Sequence, residues 1–186
     1  MKKVYIILSR TDTTPSRFVK LATGSQFTHS SIALVPCKHK LYSFARRRMH
    51  NIFVAGFLHE DVDAFVFGKY PESPCAVYEL EVSDEAYGKM ADMIKCFEKR
   101  YSKYKYSFVG AAASQFGIRR KLKYKYTCSQ FVAAVLSRAE AISLPKHPSL
   151  MKPMDFTKID GMKLLYSGTI KNISFEAQNE VEYDKN

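Results

Sequence analysis

The residue most able to do chemistry is Cys128, in the stretch Tyr124-Lys-Tyr-Thr-Cys-Ser-Gln-Phe-Val-Ala-Ala-Val-Leu136. Thr127 is a good N-cap, because its hydroxyl can accept a bond from an orphan backbone N–H. Gln130, three residues on, is placed to bond back to the Thr127 amide and complete a capping box. The apolar run Phe131 to Leu136 then carries a helix into a core. Cys128 falls at the first helical position, where unpaired N–H groups and the positive end of the helix dipole favour an anion. A thiol there loses its proton more readily than a free one, which is what a nucleophile requires. The same position also suits a small buried hydrophobe, so the cysteine needs a base beside it before it means catalysis.

The base comes from far upstream. Phe27-Thr-His-Ser-Ser-Ile-Ala-Leu-Val35 reads as a strand with His29 near its start, and Pro36-Cys-Lys-His-Lys40 as a turn. Leu41-Tyr-Ser-Phe44 is the returning strand of a hairpin. Residues whose numbers sum to about 72–75 then face each other. Ser43 is the polar side chain best placed to reach the His29 ring. A thiolate–imidazole pair is the minimal apparatus for attacking an acyl carbon, and a third polar group would hold the ring in its working tautomer.

Other elements must position these two. Val4 to Leu8 reads as a short buried strand, Ser16 to Ala22 as a short helix capped by Thr14 and closed by Gly24, and Ala64 to Phe67 as strand-like. Asn51 through Gly56 reads as loop, and His59-Glu-Asp61 as a polar surface stretch matching no common metal site. Cys75 to Val82 alternates as a strand. Ser83 caps a helix whose apolar stripe is Tyr87, Met90, Met93, Ile94 and Phe97. Phe108 to Phe116, with Gly110-Ala-Ala-Ala113, reads as a closely packed helix. Leu164 to Ile170 is a last strand. The fold class is α+β: residues 1–175 form one domain and 176–186 a polar tail.

The arrangement resembles the circularly permuted branch of the NlpC/P60 papain-like hydrolases, the YiiX/YebB-like group. The resemblance rests on Phe27-Thr-His-Ser-Ser-Ile-Ala-Leu34, Leu41-Tyr-Ser-Phe-Ala-Arg46, Gly56-Phe-Leu-His-Glu-Asp61, Tyr126-Thr-Cys-Ser-Gln-Phe-Val132 and Pro153-Met-Asp-Phe156. It covers most of residues 1 to 170. The histidine strand precedes the cysteine helix, the reverse of ordinary papain-like order. The resemblance implies an antiparallel sheet or barrel packed on the cysteine helix, with Cys128 as nucleophile and His29 as base. The family's third position, often a carboxylate, matches Ser43. A serine can accept the ring N–H but cannot stabilise an imidazolium, so either the dyad suffices or Glu60 or Glu79 substitutes. The Cys128 backbone N–H would stabilise the oxyanion. Tyr126, just before the cap, either lines that site or packs.

Composition bounds the partners. Twenty-nine basic against eighteen acidic residues give a net charge of +11 among 186 residues. This suits an anionic partner or a solvated basic surface. Arg46, Lys123 and Lys125 are the candidates to draw an anionic peptide, amide or lipid substrate toward Cys128. Arg46–Arg48 and Arg119–Lys125 with their tyrosines also allow a basic module for nucleic acid or anionic lipid, and a papain-like scaffold without turnover is a third reading. No cofactor, metal site, obligatory nucleic acid or transmembrane segment is expected. Met1-Lys-Lys-Val-Tyr-Ile-Ile-Leu8 is too short for a signal-peptide core, and the four scattered cysteines, with no paired spacing, suit a reducing cytoplasm.

Overall fold

The computed structural model describes residues 1–10, 25–48, 51, 53–120 and 122–177. The expected helix at 16–22, with its Thr14 cap and Gly24 closure, lies outside these residues, as does all but the first two residues of the polar tail.

An open, mostly antiparallel sheet of eight strands organises the chain. The strands are β1 (Lys2–Ser9), β2 (His29–Ala33), β3 (Leu41–Arg46), β4 (Ala55–Glu60), β5 (Pro74–Val82), β6 (Lys105–Tyr106), β7 (Lys125–Tyr126) and β8 (Lys163–Thr169). Their spatial order is β7-β6-β4-β3-β2-β1-β5-β8, and only β6–β7 is parallel. Four α-helices are described: α1 (Phe65–Lys69), α2 (Asp84–Lys99), α3 (Phe108–Gln115) and α4 (Cys128–Arg138).

β1 lies between β2 and β5 and is buried on both faces from Val4 onward. Successive side chains of a strand point to opposite faces, so Val4, Ile6 and Leu8 enter one core while Tyr5 and Ile7 enter a second. The first core is covered by α2 through Met90, Ile94 and Phe97, and by α4 through Phe131, Val132 and Val135. The second holds Phe67 of α1, with Leu165, Tyr166 and Ile170 from the last strand and its exit.

The hairpin of β2 and β3 pairs Ile32 with Tyr42, inside the expected register. Two expectations between residues 51 and 67 are corrected. The end of the stretch read as loop, Ala55 and Gly56, and the following residues through Glu60 of the stretch read as surface form β4, fully paired with β3 from Leu41↔Glu60 to Arg46↔Ala55. The run read as strand-like forms α1, entered through Phe65 at φ 49°. Gly56 hid the strand from sequence reading, because glycine interrupts strand patterns. Its reason is a close approach: an added Cβ would strike the backbone carbonyl of Tyr104, and it would come within 2.8 Å of the Arg47 guanidinium. That guanidinium bonds the carbonyls of Phe57 and Tyr104, at 3.1 and 3.0 Å, and ties β4 to the segment entering β6.

An aromatic cluster fixes α4 on the sheet. Phe131 lies 5.3 Å from Phe44 of β3 and 5.1 Å from Phe97 of α2, centroid to centroid. Phe97 in turn sits 5.5 Å from Phe57 of β4. Gly56→Ala is expected to lower stability by about 1–3 kcal/mol, since backbone cannot yield as a side-chain tip can. The check is a lower denaturant midpoint at unchanged slope; an unmoved midpoint would contradict the packing described.

Candidate active site

Thr127 caps α4 as its residue type suggests, accepting the Gln130 N–H at 3.1 Å. The bond from the Gln130 side chain back to Thr127 does not form; that side chain instead lines a cavity of about 660 Å³ on the outer flank of α4, with Lys123, Tyr126 and Arg138. Cys128 is the first helical residue and is 5% exposed. The tip of α4 packs on β2: Ser129 Oγ lies 3.2 Å from Ser30 Oγ and 3.9 Å from Cys128 Sγ. The Ser30 backbone also favours the charged form of the sulfur.

His29, the neighbour of Ser30 at the start of β2, interacts electrostatically with the Cys128 thiol. Its Nε2 stands 3.0 and 3.2 Å from the two oxygens of Glu60, the last residue of β4. Glu60 is only 8% exposed. Ser31 lies between them, donating to Glu60 Oε2 at 2.5 Å and standing 3.2 Å from His29 Nε2. The group holding the histidine ring is thus Glu60, with Ser31 assisting, and Ser43 is corrected from that position. Ser43 is buried near the carboxylate and favours its charged form, yet its hydroxyl completes no hydrogen bond. Glu79, the other candidate, pairs instead with Lys3 at 3.1 Å. A carboxylate does for the ring what a serine cannot: it stabilises the imidazolium.

The charge balance follows from these contacts. Burial pushes the Cys128 thiol up. The His29 hydrogen bond, the His29 charge, the Ser30 backbone and the Ser129 hydroxyl outweigh it and lower the thiol to about 7. Burial pushes the His29 ring down, but the Glu60 charge, the Cys128 hydrogen bond and the Glu60 hydrogen bond raise it to about 10. Burial would raise Glu60, but the charge and hydrogen bond of His29 and the bond from Ser31 hold it below the ordinary carboxylate range. Thiolate and imidazolium therefore coexist between about pH 7 and 10.

Tyr106 also meets the sulfur. It is half-buried, and burial, the Cys128 charge and a hydrogen bond to Cys128 keep its phenol protonated well above the usual range. Its place is set by parallel pairing of Tyr106 with Tyr126, with Ser107 N–H bonding the Tyr126 carbonyl at 2.9 Å. Of the two roles open to Tyr126, the structure shows packing: it sits in the aromatic cluster, 5.3 Å from Phe44 and 5.5 Å from Phe97, and Tyr106 holds the sulfur-facing position. The alternation of Lys105 and Tyr106 beside Lys125 and Tyr126 is the one sequence signal that could have suggested it.

The expected substrate-binding cations are dispersed. Arg46 ends β3, Lys125 is exposed on β7, and Lys123 lies 5.3 Å above the Tyr124 ring. Among the described residues no hydrogen bond or ion pair joins any of them to Cys128, His29 or Glu60. All four cysteines are unpaired, and burial pushes Cys75 up to about 12, which leaves it inert. A separate cluster of His39, Asp61 and Asp63 presents donor atoms within 4.8 Å of one another. It is an ion-pair network, with His39 Nδ1 2.8 Å from Asp61 and Lys38 Nζ 2.9 Å from Asp63.

Comparison with protein-family models, with curated proteins and with solved structures finds no match for this chain. No helix among the described residues is long and apolar enough to cross a membrane.

Iodoacetamide alkylation of Cys128, followed by mass spectrometry across pH, checks the charge balance. Its rate is expected to rise with a midpoint near pH 7. His29→Ala removes the two largest contributions that oppose burial, so the midpoint should move upward by about 1–2 units or more. An equal midpoint in both proteins would contradict it.

Proposed function

We propose that this chain is a cysteine hydrolase or acyltransferase with a permuted papain-like arrangement. The observation that carries the reading is the grouping of buried Cys128 and Glu60 about the half-buried His29, with the thiol lowered and the ring raised in concert. Desolvation and specific charge partners combined in this way are what nucleophilic sites require. The chain order, with the histidine strand ahead of the cysteine helix, and the motifs shared with the YiiX/YebB-like group support the permuted papain-like assignment. Glu60 beside His29 supplies the carboxylate that Ser43 lacks, which favours turnover over a scaffold without it.

In this mechanism Cys128 Sγ attacks the carbonyl carbon of an amide, ester or thioester, forming a tetrahedral oxyanion. The Cys128 backbone N–H at the helix start, free of intrahelical partners, points a donor at that charge. Tyr106 is the side chain that supplies a second donor beside the sulfur. His29 as imidazolium gives its proton to the leaving nitrogen, oxygen or sulfur, and the acyl group remains on Cys128. Neutral His29 then takes a proton from water, or from an acyl acceptor, as it attacks the thioester. Collapse expels the Cys128 thiolate, and the ring is again protonated. Glu60 holds the ring and balances its charge throughout.

An activated p-nitrophenyl ester tests this. The wild type is expected to release nitrophenol with a burst matching the enzyme concentration and to carry the acyl mass on Cys128. Cys128→Ala should abolish both. Glu60→Gln should slow acylation by about a hundredfold, within the range of a mispositioned general base, whereas Ser43→Ala should stay within a few-fold of wild type. No acyl adduct on Cys128 with any ester, thioester or amide would overturn the proposal. Equal losses in Glu60→Gln and Ser43→Ala would overturn the role given to Glu60.

A further inference from the structure

Helix α3 is inside out. Its buried positions are Gly110 and Ser114, one turn apart. Its exposed positions include Phe108, Val109 and Ala112, and the chain leaves it through Phe116 and Ile118. Val109 is 62% exposed, Phe116 80% and Ile118 50%. Val109 and Phe116 are seven residues apart and Val109 and Ala112 three, so on a 3.6-residue period they share one outward stripe. Packing was expected of this segment because it is small and apolar. The structure uses the smallness inward, where Gly110 approaches Ser107 and Thr127, and leaves the apolar bulk outside.

The patch extends beyond the helix. Phe53, in the connection between β3 and β4, is 79% exposed and lies 6.2 Å from the Phe108 ring. Isolated apolar side chains on a surface need no explanation, but a contiguous set rimmed by charge does. The rim here is cationic. Arg119 and Arg120 follow Ile118 directly, both exposed and with no ion pair among the described residues. From Arg100 to Arg138 the chain carries no Asp or Glu, so every charged side chain in that stretch is basic.

We infer that the outward face of α3, with Phe53, Phe116 and Ile118, docks on an anionic lipid surface. Aromatic and aliphatic side chains enter the interface while Arg119 and Arg120 meet the headgroups, which is how interfacial helices divide their work. The net charge of +11 attracts the chain to such a surface from a distance. The face also adjoins the reactive thiol: the Phe108 ring is 5.0 Å from Tyr106, which bonds Cys128. Given the acyl-transfer reading of Cys128, docking this face brings the site to the bilayer boundary, where an ester or amide within a lipid would be presented. Surface binding itself does not depend on that reading.

Co-sedimentation with phosphatidylcholine vesicles, with and without phosphatidylglycerol, tests the inference. The full chain is expected to sediment with the anionic vesicles, to bind neutral ones more weakly, and to be released in part by salt. Phe53→Ser with Phe116→Ser removes two exposed rings without touching the core, and should weaken binding by about tenfold or more at unchanged thermal stability. Cys128→Ala should bind as wild type, which separates docking from chemistry. Equal binding by the double variant would overturn the inference. So would a wild-type dimer in vesicle-free solution that the double variant dissolves, since the face would then be a self-interface.

Discussion

Three ionisable groups meet at the edge of the interior, Cys128 and Glu60 buried and His29 half-buried, and each would be neutral if buried alone. Removing a charge from water costs several kcal/mol unless a partner compensates it. Here the Glu60 carboxylate stabilises the His29 imidazolium, and the imidazolium stabilises the Cys128 thiolate. The histidine is the middle member and is held from both sides. The same burial that penalises each charge also strengthens the attraction between them. The chemistry proposed for the sulfur depends on that mutual compensation.

The architecture brings these groups to one place. β2, β3 and β4 are consecutive neighbours in the sheet, and their registers put Ser31 and Glu60 on one face, so the Glu60 carboxylate reaches diagonally across β3 to Ser31 and His29. Cys128 comes from a helix much further along the chain than Glu60. Its tip is fixed by Phe131 wedged among Phe44, Phe57 and Phe97, and by hydroxyl contact between Ser129 and Ser30. The small parallel pair β6–β7 adds Tyr106 from the other side. Local capping sets where the thiol lies on its helix, and aromatic packing sets where that helix lies on the sheet.

What could be read in the sequence followed the range of the forces involved. The Thr127 cap and the place of Cys128 depend on a few consecutive residues, and both were legible. So were the hairpin carrying His29 and the Ser83-capped helix, which have strong local patterns. Glu60 was missed as the first choice because Gly56 disguised β4, and a charged triplet His59-Glu60-Asp61 reads as surface. Its burial is decided by strand pairing with Leu41, a contact no local pattern encodes. Tyr106 and the exposed face of α3 were missed for the same reason. A small apolar helix looks like core until the neighbours that would cover it turn out to lie on its other side.

The most direct measurement is the ultraviolet thiolate absorbance of the wild type minus that of Cys128→Ser, followed across pH in the folded protein. The account predicts a thiolate step near pH 7 that disappears from neutral pH when His29 is replaced by Ala. A single step at the value of an ordinary or buried thiol, unaffected by His29, would contradict it.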